Sequence, residues 1–338
     1  MSTTLAGRRT STLLTRTTVA VVAVVALAMP MLMSDVTFFM QMVLAAIVVT
    51  GLSLLMGYAG QASLGQGAFF AVGALTVGIG TTTWALPPLL ALVLAPVLAS
   101  AFAAVVGIPL LRLRGHYLAF GTLALLLMVV AAMSTFDSLG GSLGIAGIPP
   151  LAVGSFELTD PRDYAYLALG CLALVLVISR NLISSRFGRG IQALAGSETA
   201  AASAGVAVFK AKLSVFAISA AFAGLAGALS AFFTPFISPE SFPASRSFEY
   251  VIMAVVGGLG ALWGGVLGAI AMSVVIEVLN RISTQPGLPA TAGPILQYAA
   301  YAVLLILALL WMPRGLISVL HDTRRRLSAM LTRAPQSR

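Results

Sequence analysis

The chain is poor in charge. Asp, Glu, Lys and Arg together make up 9% of its 338 residues, against about 25% in soluble domains. That scarcity excludes an ordinary water-facing surface and points to a polytopic membrane protein. Acids are the scarcer sign, 10 against 19 Lys and Arg, for a net charge of +9. In a soluble protein such an excess would suggest nucleic acid. Here the basic residues fall in short segments between apolar runs, which fits topology control and not a DNA-binding face. Cys171 is the only cysteine, so an intrachain disulfide is excluded. The two histidines, His116 and His321, sit far apart in basic segments and do not make a metal site.

Chemistry-bearing motifs are missing as well. The chain has no Gly-x-x-x-x-Gly-Lys-Ser/Thr phosphate loop, no His-Glu-x-x-His zinc pair and no Gly-x-Ser-x-Gly elbow. Ser63 and Ser219 are embedded in apolar runs without a candidate base. A proton-coupled carrier needs an ionisable residue deep in a span, and the sequence offers none. Glu249 and Glu277 fall toward the ends of their segments, where helix capping is the expected role; Glu277 is also placed to line an outer vestibule. Any energy for transport therefore has to come from a partner.

What the chain does have is apolar residues, 59% of the total. Apolar runs cover about 17–33, 37–56, 57–80, 87–110, 117–133, 164–179, 214–234, 250–279 and 294–312, most near the ~20 residues that cross a bilayer. Met1–Met33 carries Arg8, Arg9 and Arg16 and an Ala26-Leu27-Ala28 pattern like that of a cleaved leader. Its apolar stretch continues through Met33, so an uncleaved first helix is expected. Lys and Arg mark the cytoplasmic side: residues 1–16, Arg112 and Arg114, the loop 180–213, and the tail 313–338. The loop 134–163, with Asp137, Glu157, Asp160 and Asp163, is expected outside. The run 250–279 is too long for one untilted helix and contains Gly257-Gly-Leu-Gly-Ala-Leu-Trp-Gly-Gly265. Read as two short segments meeting at these glycines, it gives about ten segments in 17–312 and leaves both termini cytoplasmic. The alternative is one tilted helix. Glycines 257, 260 and 265 repeat the spacing of 57, 60 and 65, but among 33 glycines the coincidence carries no argument.

The most informative stretch is Gly57-Tyr-Ala-Gly-Gln-Ala-Ser-Leu-Gly-Gln-Gly-Ala-Phe-Phe. A helix facing lipid gains nothing from its polar side chains and loses stability from its glycines. Gly57, Tyr58, Gly60, Gln61, Ser63, Gly65, Gln66 and Phe69 are therefore expected to wall a pathway. Tight helix packing with interhelical polar contacts remains open. In the loop 180–213, Ser197 and Glu198 can start a short alanine-rich helix that Gly205 stops. A small helix of that kind suits a groove on another protein, and an interfacial helix on anionic lipid is the alternative.

Several pieces together resemble a known family. They are Gly57-Tyr-Ala-Gly-Gln-Ala-Ser-Leu-Gly, Leu111-Arg-Leu-Arg-Gly, Tyr117-Leu-Ala, Gly144-Ile-Ala-Gly-Ile-Pro149 and Ser185-Arg-Phe-Gly-Arg189. Glu198-Thr-Ala-Ala-Ala-Ser-Ala-Gly205, Ala223-Gly-Leu-Ala-Gly-Ala228, Gly257-Gly-Leu-Gly-Ala-Leu-Trp-Gly264 and Pro313-Arg-Gly-Leu316 complete them. In this order, across about 40–318, the chain resembles the permease subunits of branched-chain amino acid ABC importers, the LivM type. The resemblance implies an all-α polytopic permease of a bacterial plasma (inner) membrane. Its partners would be a second related permease, two cytoplasmic ABC ATPases and an external solute-binding protein. ATP and Mg would bind the ATPases, and this chain would bind no cofactor. The resemblance further implies that Glu198, Ala200, Ala201 and Gly205, followed by Lys210 and Lys212, form the coupling helix and its basic flank. Gln66 stands where the family commonly has histidine, His116 where an acid is common, and Ile191–Ser197 lacks the usual arginines. The solute implied is leucine, isoleucine or valine; relatives also move urea, short amides or aromatic solutes. The rival classes are a self-contained carrier or channel and, less well fitted to the polar glycine-rich segment, a membrane anchor.

Overall fold

The computed structural model describes residues 30–31, 35–153 and 156–283, with single positions at 295, 299, 303 and 306. The segments expected at 17–33 and 294–312 and the tail 313–338 lie outside these, apart from those few positions. Helix α1 (Val36–Ser53) starts at Asp35, whose carboxylate accepts the Phe38 N–H at 3.1 Å, and runs into a π turn (Leu54–Tyr58). An irregular stretch leads to α2 (Gln66–Thr82). Then come α3 (Pro88–Leu110), α4 (His116–Thr135), α5 (Pro161–Ser184), α6 (Arg186–Gly196), α7 (Glu198–Ser203), α8 (Val208–Phe233), α9 (Ala244–Gly257) and α10 (Leu262–Ser283). Among the described residues, six helices are long and apolar enough to cross a membrane. Helix α2 is apolar but shorter, at 17 residues, and α9 has 14.

Proline and capping chemistry set several of these starts. Pro88 and Pro161 occupy first helical turns, where a missing N–H removes nothing the helix uses. Asp160, Ser185 and Ser197 accept backbone N–H bonds from the turns they precede. Four two-residue strands add little: β1 (Ile145–Ala146) pairs antiparallel with β4 (Phe236–Ile237), and β2 (Ala152–Val153) with β3 (Phe156–Glu157). The β1–β4 pair ties the acidic 136–160 loop to the α8–α9 connection.

Helix α1 is the centre of the bundle, buried nearly all round and packed by α5, α8, α9 and α10. Helices α2, α3 and α8 form a second close unit. Their backbones approach so tightly that a Cβ on Gly227 of α8 would lie 1.9 Å from the Phe70 carbonyl oxygen. Outer faces carry exposed apolar residues: Val93, Val97 and Val105 on α3, Phe120, Leu127 and Met128 on α4, Leu174 and Val177 on α5. An apolar outer face on apolar helices is the surface of an integral membrane protein.

The run 250–279 is broken at its glycines, where Gly258 and Gly260 have φ of +110° and +86°. The break lies off-centre, so it yields one short helix and one of 22 residues where two short segments were expected. Helix α9 begins earlier than the apolar run because Ser245, Arg246 and Glu249 make its first turns polar.

Candidate functional site

The glycine-rich segment is neither a simple helix nor an open loop. The π turn satisfies the backbone as far as Ala59, whose N–H reaches the Leu54 carbonyl at 3.2 Å, and Gln61 N–H donates to Leu55 at 3.0 Å. From there to Gln66 the chain has no helical ladder; Gly65 N–H turns back to Ser63 Oγ at 3.3 Å, and several other polar groups are met by other helices. Leu64 N–H donates to Thr122 Oγ1 of α4 at 2.9 Å. Gln66 Nε2 donates to Ser219 Oγ of α8 at 3.0 Å, and Gly67 N–H to Ser247 Oγ of α9 at 3.1 Å. Thr122, Ser219 and Ser247 are all buried. Three helices thus each contribute one hydroxyl to hold a single interruption, as buried backbone and amide groups require.

Of the residues expected at a pathway, Gln61, Ser63, Gln66 and Phe69 are 3%, 1%, 1% and 0% exposed. They lie inside this chain's own packing. Phe69 stacks edge-on against Phe102 and Phe216, with centroids 6.3 and 5.3 Å apart. Tyr58 is half-buried and reaches the backbone of Leu262. Gly57 abuts the second glycine cluster: its Cβ would lie 2.2 Å from Gly260 N. Gly65 abuts the Thr122 carbonyl, where a Cβ would come to 2.6 Å. Gln61 Oε1 and Gln66 Oε1 are buried and make no hydrogen bond among the described residues. An amide oxygen left so is costly, by about 1–3 kcal/mol, and marks a place where structure alone does not account for the residue.

The second group of expected residues lies on α7, the Gly205 turn after it and the start of α8, at the bundle end that also carries Arg112 and Arg114. The short helix α7 has the Ser197 cap, with the Ala200 N–H donating to Ser197 Oγ at 3.3 Å, and stops at Gly205, whose φ is +83°. Glu198, Ala200 and Gly205 are exposed, as is Lys210. Ala201 instead faces inward, packing with Leu194 and Ala211 in a small satellite cluster that anchors the helix. Lys212 pairs with Glu198.

The two groups touch. The Lys212 carbonyl accepts Gln61 Nε2 at 3.4 Å, while its side chain holds Glu198 of α7. Gly60, with φ +65°, lies against α6, where its Cβ would be 3.3 Å from Ala195 Cα. One end of the interrupted segment therefore rests on the exposed loop and the other on the serines within α8 and α9. Helix α6 itself was not expected. Its signal was Ser185 as a cap and Ile191 and Leu194 three apart, the residues it buries. The serine and threonine partners were unreadable because nothing local distinguishes them from other embedded hydroxyls. Glu249 and Glu277 do not cap helices: Glu277 pairs with Arg281 at 2.7 Å, and both line a cavity between α1, α9 and α10.

A family model described as "Branched-chain amino acid transport system / permease component" matches residues 35–311. The chain is 32% identical over 291 residues to the high-affinity branched-chain amino acid transport system permease protein LivM of Escherichia coli (strain K12), and equally so to that of Salmonella typhimurium. Each alignment covers 79% of this chain and 66% of the relative, so the chain spans about two thirds of these relatives' length. It is 29% identical over 309 residues to a probable branched-chain amino acid transport permease protein LivM of Methanocaldococcus jannaschii, covering 80% of this chain and 89% of that one. No solved structure matches. With a family match running from the cap of α1 to beyond α10, this integral membrane chain belongs to the branched-chain amino acid transport system permease family.

Proposed function

We propose that this chain is one membrane-spanning subunit of an ATP-driven importer that carries leucine, isoleucine or valine across a bacterial plasma membrane. It works beside a second related permease, two cytoplasmic ABC ATPases that hold ATP and Mg, and an external binding protein that delivers the solute. The observation that carries this reading is the family match over 35–311. The placement of Arg112, Arg114, α6 and α7 at one bundle end supports a cytoplasmic loop 180–213, and both termini are assigned to that side. The basic tail 313–338 follows the membrane region 17–312, and segment 1–16 precedes it.

Helix α7 is assigned to the ATPase contact. Glu198 and Ala200 form its exposed face, Ala201 anchors it, Gly205 ends it, and Lys210 and Lys212 flank it. Small side chains allow close seating in a groove. The segment from Gly57 to Phe69 is assigned to the pathway wall: Gly57, Gly60 and Gly65 at backbone contacts, Tyr58 and Phe69 at its ends, and Gln61, Ser63 and Gln66 as its polar lining. Its burial fits a state in which the seam is shut, from which closure of the ATPases would move the bundle as a rigid body and open it. Purification from the native membrane in mild detergent tests the reading. Two Walker-motif ATPases, a second permease and a binding protein are expected by mass spectrometry. Recovery of this chain alone, still active in gradient-driven flux, would promote a self-contained carrier.

A further inference from the structure

Among the described residues, a polar cavity lies away from the interrupted segment, at the bundle end opposite α7. It has a volume of about 540 Å³ and is enclosed by the start of α1, the start of α9 and the last turns of α10. That size is within the ~300–1,000 Å³ of small-molecule sites. Its lining changes character with depth. Asp35, Arg246, Glu249 and Glu277 stand at the outer ends of their helices, together with Thr37 and Ser245. Met42, Ala45 and Met253 lie one to three turns further in and are buried. An apolar floor beneath a rim that holds both a guanidinium and carboxylates is complementary to a molecule with an apolar body and a zwitterionic head.

We infer that this cavity is a binding site for an apolar α-amino acid within the permease, occupied after release from the binding protein; the inference rests on the importer reading above. Arg246 takes the carboxylate, for which its planar donor fork is suited. Glu249 takes the ammonium, helped by Asp35. The Asp35 carboxylate already accepts the Phe38 N–H, and that of Glu277 holds Arg281, so both acids are fixed in place. A carboxylate has about four acceptor positions, so one such bond leaves room for an ammonium. The aliphatic side chain points down to Met42, Ala45 and Met253, and two methionines let the floor adapt to leucine, isoleucine or valine.

The site also has an onward connection. Gln41, Arg246 and Tyr250 line a second, smaller cavity of about 90 Å³ whose other walls include Gly67, Phe70 and Ser230. Gly67 adjoins Gln66 at the start of α2, so Gln41, Arg246 and Tyr250 form the partition between the amino-acid site and the polar interruption. A solute leaving the outer cavity past this partition would meet the Gln66 amide.

The assembled importer in lipid nanodiscs, without binding protein, tests the assignment by saturation-transfer NMR. The probes are L-leucine, leucinamide, which lacks the carboxylate, and 4-methylpentanoate, which lacks the ammonium. Saturable leucine binding is expected, with both analogues weaker by about tenfold or more, as loss of one charge-assisted contact implies. Arg246→Gln should lower leucine to the level of leucinamide, and Glu249→Gln to that of 4-methylpentanoate. Equal binding of all three probes to the wild-type complex overturns the site, independently of whether either variant folds. Unchanged leucine affinity in monodisperse variants overturns it too. ATP-driven leucine uptake is measured on the same preparation with binding protein added. Uptake that persists while the binding result fails sinks the site alone; loss of uptake by the wild type sinks the importer reading.

Discussion

Two interruptions break the helices of this bundle, and they touch. One runs from Ala59 to Gly65, the other from Gly258 to Ala261, and Gly57 meets Gly260 between them. The second is a turn of backbone: two positive-φ glycines, with Gly257 so close to α10 that its Cβ would lie 1.9 Å from the Gly264 carbonyl oxygen. The first carries Gln61 and Ser63, is followed by Gln66 as the first residue of α2, and is held with it by hydroxyls from three helices. Packing alone accounts for the glycine turn. It does not account for two buried glutamine oxygens that have no hydrogen-bond partner among the described residues. Glycine at an interruption thus signals close approach, and polar side chains there signal a further demand, which we assign to transport.

Substitutions in the two segments test that contrast. The largest effect is expected at the glycine turn. Gly257→Leu drives a side chain into the Gly264 backbone, which cannot yield as a side chain would, and overpacking of this kind costs about 1–3 kcal/mol or more. Size-exclusion profiles of detergent extracts should show aggregated or absent protein. A monodisperse peak at wild-type yield would mean that the two helices are not packed as described. Next is Glu198→Lys, which reverses the charge of α7 opposite Lys212. Uptake should be abolished while the protein remains in the membrane, and unimpaired uptake would contradict the assignment of α7 to the ATPase.

Gly60→Leu is milder for the fold. The positive φ costs a non-glycine residue about 1 kcal/mol or more, and the side chain would press on Ala195. Transport should be blocked in protein that still reaches the membrane; if transport and solute preference both survive, the pathway assignment falls. Gln66→Leu separates the two readings of the polar segment most cleanly. Combined with Ser219→Ala, it replaces both partners of the Nε2–Oγ bond by apolar groups, which is near neutral for stability, whereas Gln66→Leu alone would leave the buried Ser219 hydroxyl without that donor. Thermal stability of the double variant should therefore hold while uptake drops by about tenfold. Were Gln66 only interhelical glue, stability and uptake would change together. The smallest effect is expected from Lys212→Met. Its partner Glu198 is exposed, and such pairs contribute about 0–1 kcal/mol, so thermal unfolding should hardly move.

Much of this was readable from the residues because the signals are local. Ser197 and Gly205 bound a short helix whatever surrounds it, and helix α7 lies between them. Asp35 and Pro88 mark helix starts in the same way. The glycines of 257–265 announced a break, although not its off-centre position, which depends on the polar first turns of α9. What could not be read was which distant groups meet. Thr122, Ser219 and Ser247 look like any embedded hydroxyl until α4, α8 and α9 converge on the start of α2. The cavity between α1, α9 and α10 was hidden for the same reason: Asp35, Arg246, Glu249 and Glu277 come together from three helices, with more than 200 residues of chain between the first and the last. The residues proposed to wall a pathway illustrate a further limit, since their polarity was plain and their burial within one chain was not.

The most direct test of the account is leucine uptake by the purified complex reconstituted in liposomes, with ATP supplied on the side of the ATPases and binding protein on the other. Uptake is expected to require ATP, to persist when ionophores collapse all ion gradients, and to disappear in Glu198→Lys. Uptake by this chain without ATPases, driven by a gradient and unaffected by Glu198→Lys, would contradict it.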